Sequence, residues 1–126
     1  RTINPATGKE LKTFPDISDK ELEATVARTK TAYEKEWRAL SVADRARILS
    51  TAAAKLREKA DEYAATITLE MGKLIGTARA EIEVSAAILD YYAQNAQAFL
   101  QPQPVPGFAS AVVETRPIGI ILAIEP

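Results

Sequence analysis

The chain contains neither cysteine nor histidine. Without a thiol it can form no disulfide framework and offers no sulfur nucleophile. Without an imidazole it lacks the side chain that most often acts as general base near neutral pH and as metal ligand. Acidic and basic residues almost cancel, leaving a net charge of −1, so there is no electrostatic case for nucleic acid or for an anionic membrane surface. A basic stripe with an aromatic platform, the usual mark of a nucleic-acid binder, is also missing. No run reaches the roughly 18 apolar residues of a membrane span, and no signal peptide opens the chain. These absences predict a cytoplasmic protein. Arg1 rather than methionine comes first, which reads as processing, tagging or cutting.

What is present is globular in composition, 47% hydrophobic and 26% charged. A length of 126 residues fits one domain or a piece of a larger one. Proline and glycine then divide the chain into three parts. In the first, short extended segments at 2–4 and 10–14 flank "PATGK", whose Gly8 can take a positive φ. That pattern predicts a β-hairpin.

The second part, residues 16–101, contains no proline and only two glycines, Gly72 and Gly76. Its alanine, leucine, glutamate and lysine favour helix. Ser18 with Glu21 forms a capping box at a first helix start, and Leu22, Val26, Tyr33 and Trp37 follow on one face. Ser41 with Asp44 repeats the start signal ahead of Ile48, Leu49, Ala52 and Leu56. A third helix carries Ala60, Ala64, Ile67 and Met71 and ends at Gly72. The fourth and longest holds Ala78, Ile82, Ala86, Leu89, Ala93, Ala96 and Leu100. Trp37 and Met71 are expected in the core, and at most one of Tyr91 and Tyr92, which point to different faces. "KLREK" at 55–59 reads as the wet face of a helix. Glu81 and Glu83 make a poor acid–base pair, since i and i+2 positions diverge around a helix.

The third part opens with "QPQPVPG", whose prolines forbid helix and favour an extended link. "SAVVETR" has strand composition, with a strand expected near 111–116. The chain then runs into "RPIGIILAIEP". Full burial of Ile118, Ile120, Ile121, Leu122 and Ile124 would contribute on the order of 7–15 kcal/mol, comparable with the whole stability of a domain. A continuous apolar strand suits a parallel sheet covered on both faces. Its neighbours need crossover connections, and no βαβ unit precedes it. The expectation is therefore the first part of a larger protein, with the remaining strands downstream.

"INPATG" at 3–8, "TLEMGK" at 68–73 and above all "RPIGIILAIEP" at 116–126 resemble the aldehyde dehydrogenase superfamily, with wording most like its succinate-semialdehyde dehydrogenase branch. Leu74 departs from the proline that commonly follows "GK" there. The resemblance implies an α/β fold in the intact parent, of which this stretch would be mainly α-helical with an N-terminal β-hairpin and C-terminal extended strands. On that division, residues 1–101 are the hairpin and four-helix part of the cofactor-binding domain. Residues 102–117 are an extended linker and oligomerisation strand, and 118–126 the first strand of the nucleotide-binding sheet.

The implied chemistry is oxidation of a small aldehyde with NAD or NADP. A cysteine thiolate attacks the carbonyl carbon, an oxyanion hole with an asparagine side chain holds the developing charge, and a glutamate activates water for hydrolysis of the thioester. Those three residues lie beyond Pro126 in the family, so no catalytic residue is assigned here. Three sets of positions do carry over. Ile124, Glu125 and Pro126 match the start of the loop that meets the cofactor, in keeping with ligands sitting at the carboxyl ends of strands; a plain strand end and turn is the alternative. Glu70 with the backbone of Thr2 and Ile3 matches a monovalent-cation site, or else is a solvated acid at a helix end. Glu81 and Ser85 match positions lining the substrate tunnel, or are ordinary helix surface. The resemblance further implies a homo-oligomer, sharing a sheet through "SAVVETR". The rival to an enzyme is a non-catalytic helical interaction module that recruits a partner through exposed strands.

Overall fold

The structure, a computed structural model, describes residues 1–124. It is mainly helical, with an antiparallel strand pair near each end. Strands β1 (Thr2–Ile3) and β2 (Glu10–Lys12) form the N-terminal hairpin, with Thr2 opposite Lys12 and Ile3 opposite Glu10. Gly8 closes its turn at φ 69°, donating its N–H to the Asn4 carbonyl at 2.8 Å. Four helices follow, α1 (Asp19–Lys35), α2 (Val42–Glu58), α3 (Ala60–Met71) and α4 (Ile75–Phe99), with a short 3-10 turn at Trp37–Ala39. Strands β3 (Gln103–Pro104) and β4 (Val112–Val113) pair antiparallel beyond them.

The helix ends are written in local chemistry. Ser18 Oγ accepts the Glu21 N–H at 3.3 Å while Glu21 Oε2 accepts the Ser18 N–H at 3.0 Å, completing the capping box. The Ser18 hydroxyl and its amide hold the Glu21 carboxyl below its ordinary pKa. Ser41 Oγ accepts the Asp44 N–H at 3.0 Å at the start of α2. Gly72 ends α3 in the left-handed region, its N–H donating to the Thr68 carbonyl at 2.9 Å. A Cβ at Gly72 would stand 2.9 Å from Pro5 Cγ, so the hairpin turn packs directly on this cap.

The chain divides into two compact regions, with boundaries inside α2 and α4. The first comprises Arg1–Asp16 and Ala46–Gln94 and contains every buried residue among those described: Ala53, Ala64, Ala78, Ile82 and Ala86. Four alanines among five buried positions let helix backbones approach closely but bury little area per turn. Charged side chains join the helices at the rim of this core. Arg57 of α2 donates through Nε to Glu83 at 3.0 Å and through Nη1 to Asp90 at 2.7 Å, one helical face of α4, and Arg79 Nε donates to Asp61 of α3 at 2.7 Å. Hydrogen bonds to Asp90, then Glu83, hold the Arg57 guanidinium above its ordinary pKa. "KLREK" is exposed at every position but Leu56, as a wet face should be, and Arg57 bridges to α4 from it.

The second region, Ile17–Arg45 with Asn95–Pro126, has no buried residue among those described. Trp37 lies in the 3-10 turn rather than completing the α1 stripe, and it stays partly exposed, as do Leu22 and Val26. Val26 and Tyr33 of α1 line a cleft of about 300 Å³ with Ile118 and Ile120 of the tail. Strand is confined to Val112–Val113 within the expected 111–116, and residues 118–124 carry no strand. Ile121 and Leu122 are more than four-fifths exposed, at 81% and 83%.

Two further expectations fail in the first region. Ala53 rather than Ala52 is the buried alanine of α2, and Met71 is 70% exposed instead of core. Met71 is the last residue of α3, where the chain turns away at the left-handed Gly72. Tyr91 and Tyr92 are both exposed, with their rings edge-to-face at 5.5 Å between centroids.

Candidate functional site

The positions singled out in the sequence fall at three places. The first is the meeting of the hairpin with the end of α3. Thr2 and Ile3 form β1, Glu70 is half-buried in the last turn of α3, and Pro5 against Gly72 brings the two elements together. Two hydroxyl oxygens there, Thr2 Oγ1 and Thr68 Oγ1, are shielded from water without a hydrogen-bond partner. Polar atoms buried in this state cost free energy unless something pairs with them. No group of three or more acidic, histidine or cysteine side chains gathers to hold a metal among the described residues.

The second place is the start of α4. Glu81 and Ser85 sit one turn apart on the same face, Glu81 exposed and Ser85 half-buried. Lys73, in the short link between α3 and α4, donates its ammonium to Glu81 Oε2. Glu83 turns instead to Arg57. The two carboxylates thus diverge to separate cations, as the helical spacing predicts. Lys73 was not singled out in the sequence. Its signal was available in "EMGK", where a lysine just past a glycine cap must lie over the first turns of the next helix.

The third place is the carboxyl end of the chain. Ile124 is 85% exposed, and Glu125 and Pro126 lie outside the described residues. A dinucleotide needs a cradle of backbone amides, usually a glycine-rich turn between a strand and a helix. Among the described residues the positive-φ glycines are Gly8, Gly72, Gly107 and Gly119. Gly8 closes the hairpin, Gly72 caps a helix, and Gly107 lies between β3 and β4. Gly119 lies in the tail, with no helix after it among the described residues. Among the described residues no glycine-rich turn joins a strand to a helix. The described residues also contain no helix long and apolar enough to cross a membrane.

Residues 1–126 match the sequence profile of the Aldehyde dehydrogenase family. The chain belongs to that family. It is 43% identical over 127 residues to a succinate-semialdehyde dehydrogenase [NADP(+)] of Deinococcus radiodurans, covering 99% of this chain and 26% of the relative. A second enzyme of that description, from Mycobacterium tuberculosis, is 41% identical over 129 residues, covering 99% of this chain and 28% of the relative. Among solved structures, the succinic semialdehyde dehydrogenase of Streptococcus pyogenes in complex with NADP+ superposes with a TM-score of 0.79 at 36% identity, over 88% of this chain and 24% of that one. The chain thus spans about a quarter of the length of these relatives, and the match is to their N-terminal portion.

Proposed function

We propose that this chain is the N-terminal part of an NAD(P)-dependent aldehyde dehydrogenase whose substrate is succinate semialdehyde, oxidised to the acid. The observation that carries this is the identity of 43% and 41% with two succinate-semialdehyde dehydrogenases over 99% of the chain. NADP is favoured over NAD, because NADP is named for both relatives and for the Streptococcus pyogenes complex. The protein acts in the cytoplasm as a homo-oligomer.

Within that enzyme, residues 118–126 form the first strand of the nucleotide-binding sheet, and Ile124, Glu125 and Pro126 open the cofactor loop. An apolar run that stays exposed in residues 118–124 supports this, since such a strand needs neighbours on both sides. Glu81 and Ser85 line the aldehyde's path, with Lys73 setting the direction of the Glu81 carboxylate. The Thr2 and Ile3 carbonyls and Glu70, a set of hard oxygens, would hold a monovalent cation. The unpartnered Thr2 and Thr68 hydroxyls support an oxygen-seeking guest there. Residues 109–124, with β4 leaving one edge open in a two-stranded sheet, form the surface through which copies associate. The chain by itself supplies no thiol nucleophile and turns over no aldehyde.

The test is to assay the intact protein that carries this chain against a panel of aldehydes, following nicotinamide reduction with NAD and with NADP. Turnover that is fastest with succinate semialdehyde and NADP is expected. A folded protein with a downstream cysteine that oxidises no aldehyde would end the dehydrogenase proposal.

A further inference from the structure

A guanidinium presents five donors in a fixed plane, is always charged, and needs acceptors once water is excluded. Most arginines among the described residues have one: Arg57 and Arg79 meet carboxylates across helices, and Arg116 is held by Glu114 at 2.7 and 3.1 Å. Arg45, in the first turn of α2, is different. It is half-buried, and its Nε is shielded from water with no hydrogen-bond partner. Arg45 also lines a cleft of about 220 Å³ together with Val42, Leu100, Thr115, Arg116 and Pro117. At about 30 Å³ for each water molecule, that is room for roughly seven. Three of the lining residues are apolar, two are cationic, one is a hydroxyl, and none is acidic.

We propose that this cleft is a binding site for a small carboxylate with a short hydrocarbon body. The carboxylate accepts from the part of the Arg45 guanidinium that lines the cleft, a charge-assisted bond for which that planar donor set is suited, while Nε stays covered. Arg116, already neutralised by Glu114, contributes a wall rather than a second free charge. The hydrocarbon lies along Val42, Leu100 and Pro117. The cleft is too small for a nucleotide, and with no acid in its lining it discriminates against cations. The site belongs to the second region of the chain, and Thr115, Arg116 and Pro117 also lie in the segment proposed for association, so the titration is read on the unassociated chain.

The experiment is a ¹⁵N NMR titration of the full chain with sodium butyrate, at constant ionic strength made up with sodium chloride. Saturable shifts of the Arg45 Nε–H and the Thr115 and Arg116 amides are expected, with a Kd on the order of 1 mM. Arg45→Gln should weaken binding about tenfold, with Arg45→Lys intermediate. Arg38→Gln, at an exposed position, should leave it unchanged. Leu100→Ala should weaken butyrate but not acetate. If Arg45→Gln disturbs the fold, the Arg45→Lys and Leu100→Ala comparisons carry the test. Shifts that never saturate, or an isotherm unchanged in the Arg45 variants, would overturn the site. Equal shifts with sulfate in place of butyrate would mean an adventitious ion only and would also overturn it.

Discussion

The first region of the chain buries five residues and the second buries none among those described. Helix propensity alone does not account for this, since α1 of the second region is well capped and regularly helical yet buries no residue. What separates them is whether each apolar stripe has something to lie against. In the first region Ala53, Ala64, Ala78, Ile82 and Ala86 are sealed from water, and three arginine–carboxylate bridges link α2 and α3 to α4. In the second, the α1 stripe and the apolar tail remain largely open. A stripe that recurs at the right spacing is evidence of a buried face, but not of the partner that buries it.

The largest expected effect comes from the core itself. Ile82→Ala should cost about 2–4 kcal/mol in urea unfolding, whereas Ile121→Ala should stay within about 0.5 kcal/mol. Equal costs would erase the contrast between the regions. Gly72→Ala comes next, because φ of +71° and the contact with Pro5 both oppose a methyl group. A loss of about 1–3 kcal/mol is expected, greater than for Gly8→Ala, where φ is +69° but the space is open. Thermal melts of the two variants side by side separate strain from packing.

Smaller effects test the polar boundary. Arg57→Met should lower stability only slightly, since the arginine side chain is 38% exposed and solvent screens its pairs. The cost should shrink further in high salt. Ser18→Ala should remove about 1 kcal/mol of α1 stability, visible as lost helicity in circular dichroism. Glu21 adds a pH dependence of fixed sign. Its folded pKa is depressed, so its contribution is present above the ordinary carboxyl value of 4.5 and is lost as pH falls through the folded value. Acid titration of Ser18→Ala should show less of this loss than the parent chain.

Where the chemistry is local, the sequence was legible. Ser18 with Glu21, Gly8 and Gly72 each act within a few residues, and each does in the structure what its pattern predicts. The α4 stripe was also readable, because Ala78, Ile82 and Ala86 recur cleanly. In α2 the run of three alanines at 52–54 hides the phase, and only packing selects Ala53. Met71 and Trp37 failed for a related reason: each closes a pattern at a helix end, where the backbone leaves the shared face. The tail illustrates the remaining gap. Strand propensity is a property of residues 118–124, but a strand exists only when another strand takes its hydrogen bonds. Of the candidate sites, the helical spacing of Glu81 and Ser85 was visible, while Lys73 on Glu81 and the unpartnered Arg45 depend on contacts across a turn or a cleft.

Native-state hydrogen exchange, read residue by residue on this chain, tests the contrast most directly, since local stability follows buried contacts. Slow exchange should be confined to the first region, with the slowest amides in α3 and in α4 around Ala78, Ile82 and Ala86, while amides of 103–124 exchange fast. Protection in 118–124 as strong as that around Ile82 would contradict the account.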